Sequence, residues 1–155
     1  RIYQLDATKS PRTLSNIFKR HQNISSFYYF ATTKISGRRR GLFDAKLVEE
    51  FIIIYATYFS KALEIILGQN RVFTVFYPSS ITIDENPKEL AEYVIAKKAA
   101  EDICAYYSKF SNQLNITVRR LPRIRTDQTA TLTEIDAENA VDVMLPIIDC
   151  VEQTR

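Results

Sequence analysis

Glycine is scarce in this chain of 155 residues: Gly37, Gly41 and Gly68 are the only three, and no Gly-x-Gly-x-x-Gly can be built from them. A turn of that kind lets backbone amides close on a pyrophosphate at a helix N-terminus, so the sequence holds no such phosphate cradle. Histidine occurs once, at His21, and Cys104 and Cys150 are the only cysteines. Without Cys-x-x-Cys or His-x-x-x-His spacing no ordinary zinc ligand set can be assembled, and no metal is expected. Both cysteines fall in helical patterns among apolar neighbours, as buried free thiols do. No disulfide is expected, and the expected location is cytoplasmic. No uncharged apolar run approaches the roughly 18 residues of a membrane span, and the longest, Phe51 to Phe59, is about half that, so no membrane partner is expected. The opening Arg-Ile-Tyr-Gln-Leu-Asp has neither signal-peptide nor transit-peptide character. It reads as the inside of a strand, which predicts a piece of a longer protein.

Charge of one sign is also in short supply. Twenty-one basic residues against eighteen acidic ones leave a formal net charge of +3, so any electrostatic partner must be sought in local clusters. Two basic clusters stand out: Lys34 with Arg38, Arg39 and Arg40, and Arg119, Arg120, Arg123 and Arg125. Each reads either as solvated charge or as a site for an anionic partner such as a cofactor phosphate, a phosphopantetheine arm or an acidic carrier protein. The arginines are not interleaved with exposed aromatics, and no nucleic-acid partner is expected.

Short apolar runs alternate with long amphipathic segments, the pattern of β/α units around a parallel sheet. Strands are predicted at Ile2 to Leu5, Phe27 to Ala31, Val72 to Tyr77 and Ile116 to Leu121. Ser10-Pro11 predicts a helix start, and that helix reaches about His21. A second helix is predicted from Asp44 to about Leu67, closed by Gly68. Asn86-Pro87-Lys88-Glu89 has the residues of a helix start, and the helix it opens runs to about Phe110. After a threonine-rich stretch from Thr126 to Thr133, a last helix is predicted from about Asp136 to Gln153, kinked at Pro146. The segment Phe43 to Leu67 is apolar on nearly every face. It predicts either a helix sandwiched inside a larger fold or a homodimer interface shared by helices 43–67 and 87–110.

On the third long helix Tyr93 and Lys97 are four apart and share a face. Tyr-x-x-x-Lys alone could belong to any solvated helix. Ser80, however, lies thirteen residues before Tyr93 at the end of a predicted parallel strand, where open α/β sheets place their ligands. One rim therefore receives a hydroxyl, a phenol and an ammonium. A phenol with a pKa of about 10 is a poor base at neutral pH. A nearby ammonium is expected to lower that value and make Tyr93 a proton donor and acceptor. Ser80, with Ser79 as its substitute, is placed to hydrogen-bond an oxygen that gains charge.

Strand, Ser80, Tyr93-Val94-Ile95-Ala96-Lys97-Lys98-Ala99-Ala100, strand, proline and Thr126 together resemble the short-chain dehydrogenase/reductase family over nearly the whole chain. Leu5-Asp6-Ala7-Thr8 resembles the family's strand-end aspartate beside the adenine. Phe30-Ala31-Thr32-Thr33 takes the place of its Asn-Asn-Ala-Gly turn, and Leu121 to Thr126 resembles its Pro-Gly-x-Ile-x-Thr segment. The resemblance implies a single domain over 1–155, a truncated Rossmann-like three-layer α/β fold with a mainly parallel sheet of about four strands, lacking the N-terminal glycine-rich βαβ part. It implies NADP or NAD as cofactor of the intact parent, with Asp6, Ala31, Thr32, Lys97, Ile124 and Thr126 as contacts. The catalytic set would be Ser80, Tyr93 and Lys97, acting on a small-molecule or carrier-bound carbonyl substrate. The chain also departs from the family pattern. Isoleucines and Tyr55 stand where the family has a relay asparagine, and neither glycine-bearing turn is kept. The alternative expectation is a non-catalytic reductase-like module for dimerisation or scaffolding.

Overall fold

A computed structural model describes residues 2–35, 43–125 and 137–153. In chain order its elements are α1 (Arg12–Arg20), β1 (Ser26–Tyr28), α2 (Ala45–Ile52), a π-helical turn (Ile53–Tyr58), α3 (Phe59–Leu67), β2 (Phe73–Ser80) and α4 (Thr82–Glu85). A 3₁₀ turn (Lys88–Leu90), α5 (Ala91–Phe110), β3 (Leu114–Leu121), β4 (Ile124–Arg125), β5 (Glu138–Asn139) and α6 (Ala140–Gln153) follow.

The main sheet has three parallel strands in the order β1-β2-β3, with Val75 opposite Phe27 on one side and Ile116 on the other. Central β2 reads Phe-Thr-Val-Phe-Tyr, and its first five residues are all buried, because a parallel strand between two neighbours is covered on both faces. On one face Phe73, Val75 and Tyr77 join Leu14 and Phe18 of α1, Phe59, Leu63 and Ile66 of α3, and Ala100 and Cys104 of α5 in the main core. On the other face Phe76 packs against Tyr28 and Phe30, and α6 comes back to β2, with the Tyr28 hydroxyl donating to Glu152 Oε1 at 2.6 Å. The result is the expected three-layer α/β arrangement.

Several boundaries depart from expectation. Ile2 to Leu5 forms no strand: no described strand lies beside it to take its N–H and C=O groups, and Ile2 is fully exposed. The main sheet thus has three strands rather than about four, and β4 and β5 form a separate two-stranded parallel ladder. Ser10 does not cap α1, which begins after Pro11. Asn86 adopts a left-handed φ of 45° and terminates α4, so α5 starts only at Ala91, after Pro87 and the 3₁₀ turn. Asp44 does cap α2, accepting from the Leu47 amide at 3.2 Å. Of the two free thiols, Cys104 is buried but Cys150 is exposed, since it lies on the outer side of α6. No described helix is long and apolar enough to cross a membrane.

Candidate active site

The long helix between β1 and β2 is interrupted where it passes the sheet. Over Ile53–Tyr58 it widens into a π turn, a geometry that leaves carbonyls without their usual helical donors. Two sheet tyrosines meet them: the Tyr29 hydroxyl donates to Ile54 O, and the Tyr77 hydroxyl donates to Tyr55 O at 3.2 Å. Burial pushes both phenols well above the ordinary tyrosine value, so they stay protonated as donors. Tyr55 thereby faces the carboxyl end of β2.

Ser80 is the last residue of that strand. Its Oγ donates to Thr82 Oγ1 at 2.9 Å and accepts from the Thr82 amide at 3.3 Å. Tyr93, one turn into α5, is 6% exposed, and Ser80 is near enough to draw its phenol's pKa down. Its ring packs edge-on against Phe51 and Tyr55. Lys97, one turn further, is also 6% exposed and donates from Nζ to Pro78 O at 2.6 Å. The ammonium lies 4.5 Å from the ring centre of Tyr55, 4.9 Å from that of Tyr77 and 5.8 Å from that of Tyr93. The structure brings Ser80, Tyr93 and Lys97 to one place, and it adds Tyr55, Tyr77 and the Pro78 carbonyl.

The electrostatics differ from the expectation that Lys97 lowers the Tyr93 pKa. Burial raises the Tyr93 phenol well above its ordinary value; neighbouring Tyr55 adds to this, and only Ser80 opposes it. The ammonium lies over ring faces and is aimed at Pro78 O, so it does not offset that burial. Lys97 itself is lowered to about 7 by burial, against the pull of Glu101 one turn along α5 and of Cys104. Near neutral pH the lysine can therefore gain and lose a proton, while the phenol holds its own.

Ser79 is no substitute for Ser80. Successive side chains of a strand diverge, and Ser79 Oγ donates to Glu101 Oε1 at 2.5 Å instead. Glu101 also takes two hydrogen bonds from Arg120, whose Nη1 pairs with Asp84. Arg123 pairs with Glu85 at 3.4 Å. These two arginines are thus occupied by the chain's own carboxylates. Arg38 to Arg40 lie outside the described residues, as does the side chain of Arg125.

The expected cofactor contacts are more scattered. Asp6 opens an exposed turn in which its carboxylate accepts from the Thr8 hydroxyl and amide, holding its pKa at about 2, with Lys9 at 3.2 Å. Ala7 and Ala31 each pack against both core clusters, so the Asp6 turn and the loop that follows β1 border the same core. In that loop Thr32 Oγ1 hydrogen-bonds the Tyr55 hydroxyl at 2.8 Å. Ile124 is half-buried in β4. Thr126 lies outside the described residues.

A three-layer parallel α/β unit with hydroxyl, phenol and amine gathered at the carboxyl end of its central strand defines the class of this chain. It has the fold of the short-chain dehydrogenases/reductases. An alcohol dehydrogenase of Thermococcus sibiricus, solved with 5-hydroxy-NADP, matches 97% of the chain at TM-score 0.82 and 13% identity. A short-chain dehydrogenase of Burkholderia cenocepacia with NADP matches 94% at 0.74 and 13% identity. A 3-oxoacyl (acyl-carrier-protein) reductase of Agrobacterium tumefaciens with NADP bound matches 81% at 0.67 and 14% identity. The chain spans 67%, 64% and 51% of those three proteins. No family model and no curated protein matches the sequence.

Sequence reasoning missed the roles of Tyr29, Tyr77 and Glu101. Glu101 was within reach, being four residues after Lys97 on one helix face. The two tyrosines read only as core aromatics, because nothing in their spacing signals a π turn on another element.

Proposed function

We propose that this chain is the catalytic portion of an NAD(P)-dependent oxidoreductase that moves hydride between the nicotinamide cofactor and a carbonyl or alcohol. The single observation behind this reading is that Tyr93 and Lys97 of α5 meet the carboxyl end of β2, where Ser80 lies: Lys97 Nζ donates to Pro78 O at 2.6 Å and lies 5.8 Å from the centre of the Tyr93 ring. Ser80 holds the substrate oxygen, and Tyr93, protonated at working pH, gives it a proton as charge develops. NADP or NAD, when bound, would supply or accept the hydride. Of the residues expected to hold such a cofactor, Lys97 and Thr32 would serve its ribose, Asp6 and Ala31 its adenine, and Ile124 and Thr126 its carboxamide. No Gly-x-Gly-x-x-Gly in these 155 residues fits its phosphates, and a fluorescence titration of this chain is expected to show no saturable NADP(H) binding at micromolar concentration. Acyl or ketoacyl groups, free or carrier-bound, are the proposed substrate class, with the chain as one cytoplasmic domain.

The test is Tyr93→Phe in the intact protein, which should lower carbonyl-reducing kcat by about 10²- to 10⁴-fold. Full activity in that variant would overturn the assignment. A second reading, a reductase-like module kept for homodimerisation, rests on the near-complete burial of Tyr93 and Lys97 together with the exposed Phe43, Ile53 and Ile95 on and beside the two long helices. Concentration-independent monomer in analytical ultracentrifugation would remove it.

A further inference from the structure

Tyr55 touches both halves of the candidate site. From the π turn its hydroxyl reaches Thr32 in the loop after β1, at 2.8 Å, and the Thr33 backbone is near enough to draw its pKa down against burial. Its ring meets Tyr93 edge-on at 5.4 Å between centres and carries the Lys97 ammonium over its face at 4.5 Å. The residue is 1% exposed. Its carbonyl is held by Tyr77, and the carbonyl before it by Tyr29, so the backbone that aims this ring is fixed from two strands of the sheet.

We propose that Tyr55 is the positioning residue of this site, seating Lys97 and Tyr93 with its ring and fixing the Thr32 loop with its hydroxyl. This rests on the oxidoreductase reading for its meaning, but the contacts stand without it. The ring does two things at once. It shuts water away from Lys97 Nζ, and its face offers the ammonium a weak electrostatic partner. The other groups around Nζ are the Pro78 carbonyl and Tyr77 from β2, and Tyr93, Glu101 and Cys104 from α5. Of the groups around Nζ, it is Tyr55 whose hydroxyl bonds Thr32. Removing the hydroxyl alone should free the loop and leave the lysine as it is, whereas removing the ring should admit water to the lysine.

The experiment is a pH titration of Lys97 by NMR on the full chain labelled with ¹⁵N-lysine, with amide hydrogen exchange at Thr33. In Tyr55→Phe the Lys97 midpoint should stay within a few tenths of a pH unit, and the Thr33 amide should exchange about tenfold faster or more. In Tyr55→Ala the Lys97 midpoint should rise by about one pH unit or more, a tenfold change in proton affinity, because hydration of the charged form outweighs the lost ring contact. An unchanged or lower midpoint in Tyr55→Ala, or unchanged Thr33 exchange in Tyr55→Phe, overturns the proposal. If Tyr55→Ala does not fold, the Tyr55→Phe exchange decides. Neither readout involves turnover, so Tyr93→Phe can refute the oxidoreductase reading while these results stand, and the reverse.

Discussion

Lys97 Nζ donates to the Pro78 carbonyl at 2.6 Å from inside a ring of three tyrosines, on a side chain that is 6% exposed. A lysine so placed is seldom fully charged at neutral pH, and burial brings this one to about 7. Three consequences of its surroundings, and one for its neighbouring serines, can be measured.

The folded pKa of Lys97 lies below its unfolded value, so between the two the unfolded chain holds the extra proton and stability rises with pH. Urea unfolding of the native chain should show about 1 to 2 kcal/mol more stability at pH 8.5 than at pH 7, relative to Lys97→Met, which lacks the proton. In the difference between the two proteins the gain continues toward 10.5, the ordinary lysine value, while in each protein alone it is offset above about pH 9, where Cys104, pushed up to about 12, and the buried tyrosines begin to favour the unfolded chain. A difference between the two proteins that does not vary with pH would contradict the buried, neutral lysine.

Tyr29→Phe removes the side-chain donor that meets the buried Ile54 O in the π turn. An expected loss of about 1 to 3 kcal/mol follows from the cost of an unsatisfied buried acceptor. Tyr28→Phe, whose lost partner Glu152 is only partly buried, should lose less. Chemical denaturation of the two variants checks the order.

Cys104 is 1% exposed and its thiol is pushed up to about 12 by burial, whereas Cys150 is exposed on α6. A thiolate-directed reagent should therefore label Cys150 at once in the native chain and Cys104 only on unfolding. Mass spectrometry after partial labelling distinguishes them, and equal rates would be inconsistent with this core.

Ser79 and Ser80 are adjacent, yet one bonds Glu101 and the other Thr82. Under the proposed function, Ser80→Ala in the intact protein should lower kcat by about 10²- to 10³-fold. Ser79→Ala should change kcat by only a few-fold. Reversed effects would move the oxygen-binding role to Ser79.

Element type and order were legible in the sequence, because they rest on local periodicity. The five buried residues at the start of β2, the Asp44 cap and the Tyr93–Lys97 helix face all follow from spacing. So did the convergence of Ser80, Tyr93 and Lys97, since a hydroxyl at a strand end and a helix face immediately after it must meet at the same rim. Ile2 to Leu5 shows the limit of that reading. Its composition suits a strand, but a strand exists only where another offers hydrogen bonds. The electrostatics were settled by tertiary structure alone. Whether a lysine lowers a phenol's pKa depends on where its ammonium points and how much water reaches both groups. Those are set by Tyr55, Tyr77 and the Pro78 carbonyl, which lie 42, 20 and 19 positions from Lys97 along the chain. Contacts over such separations leave no periodic trace, and only folding brings them together.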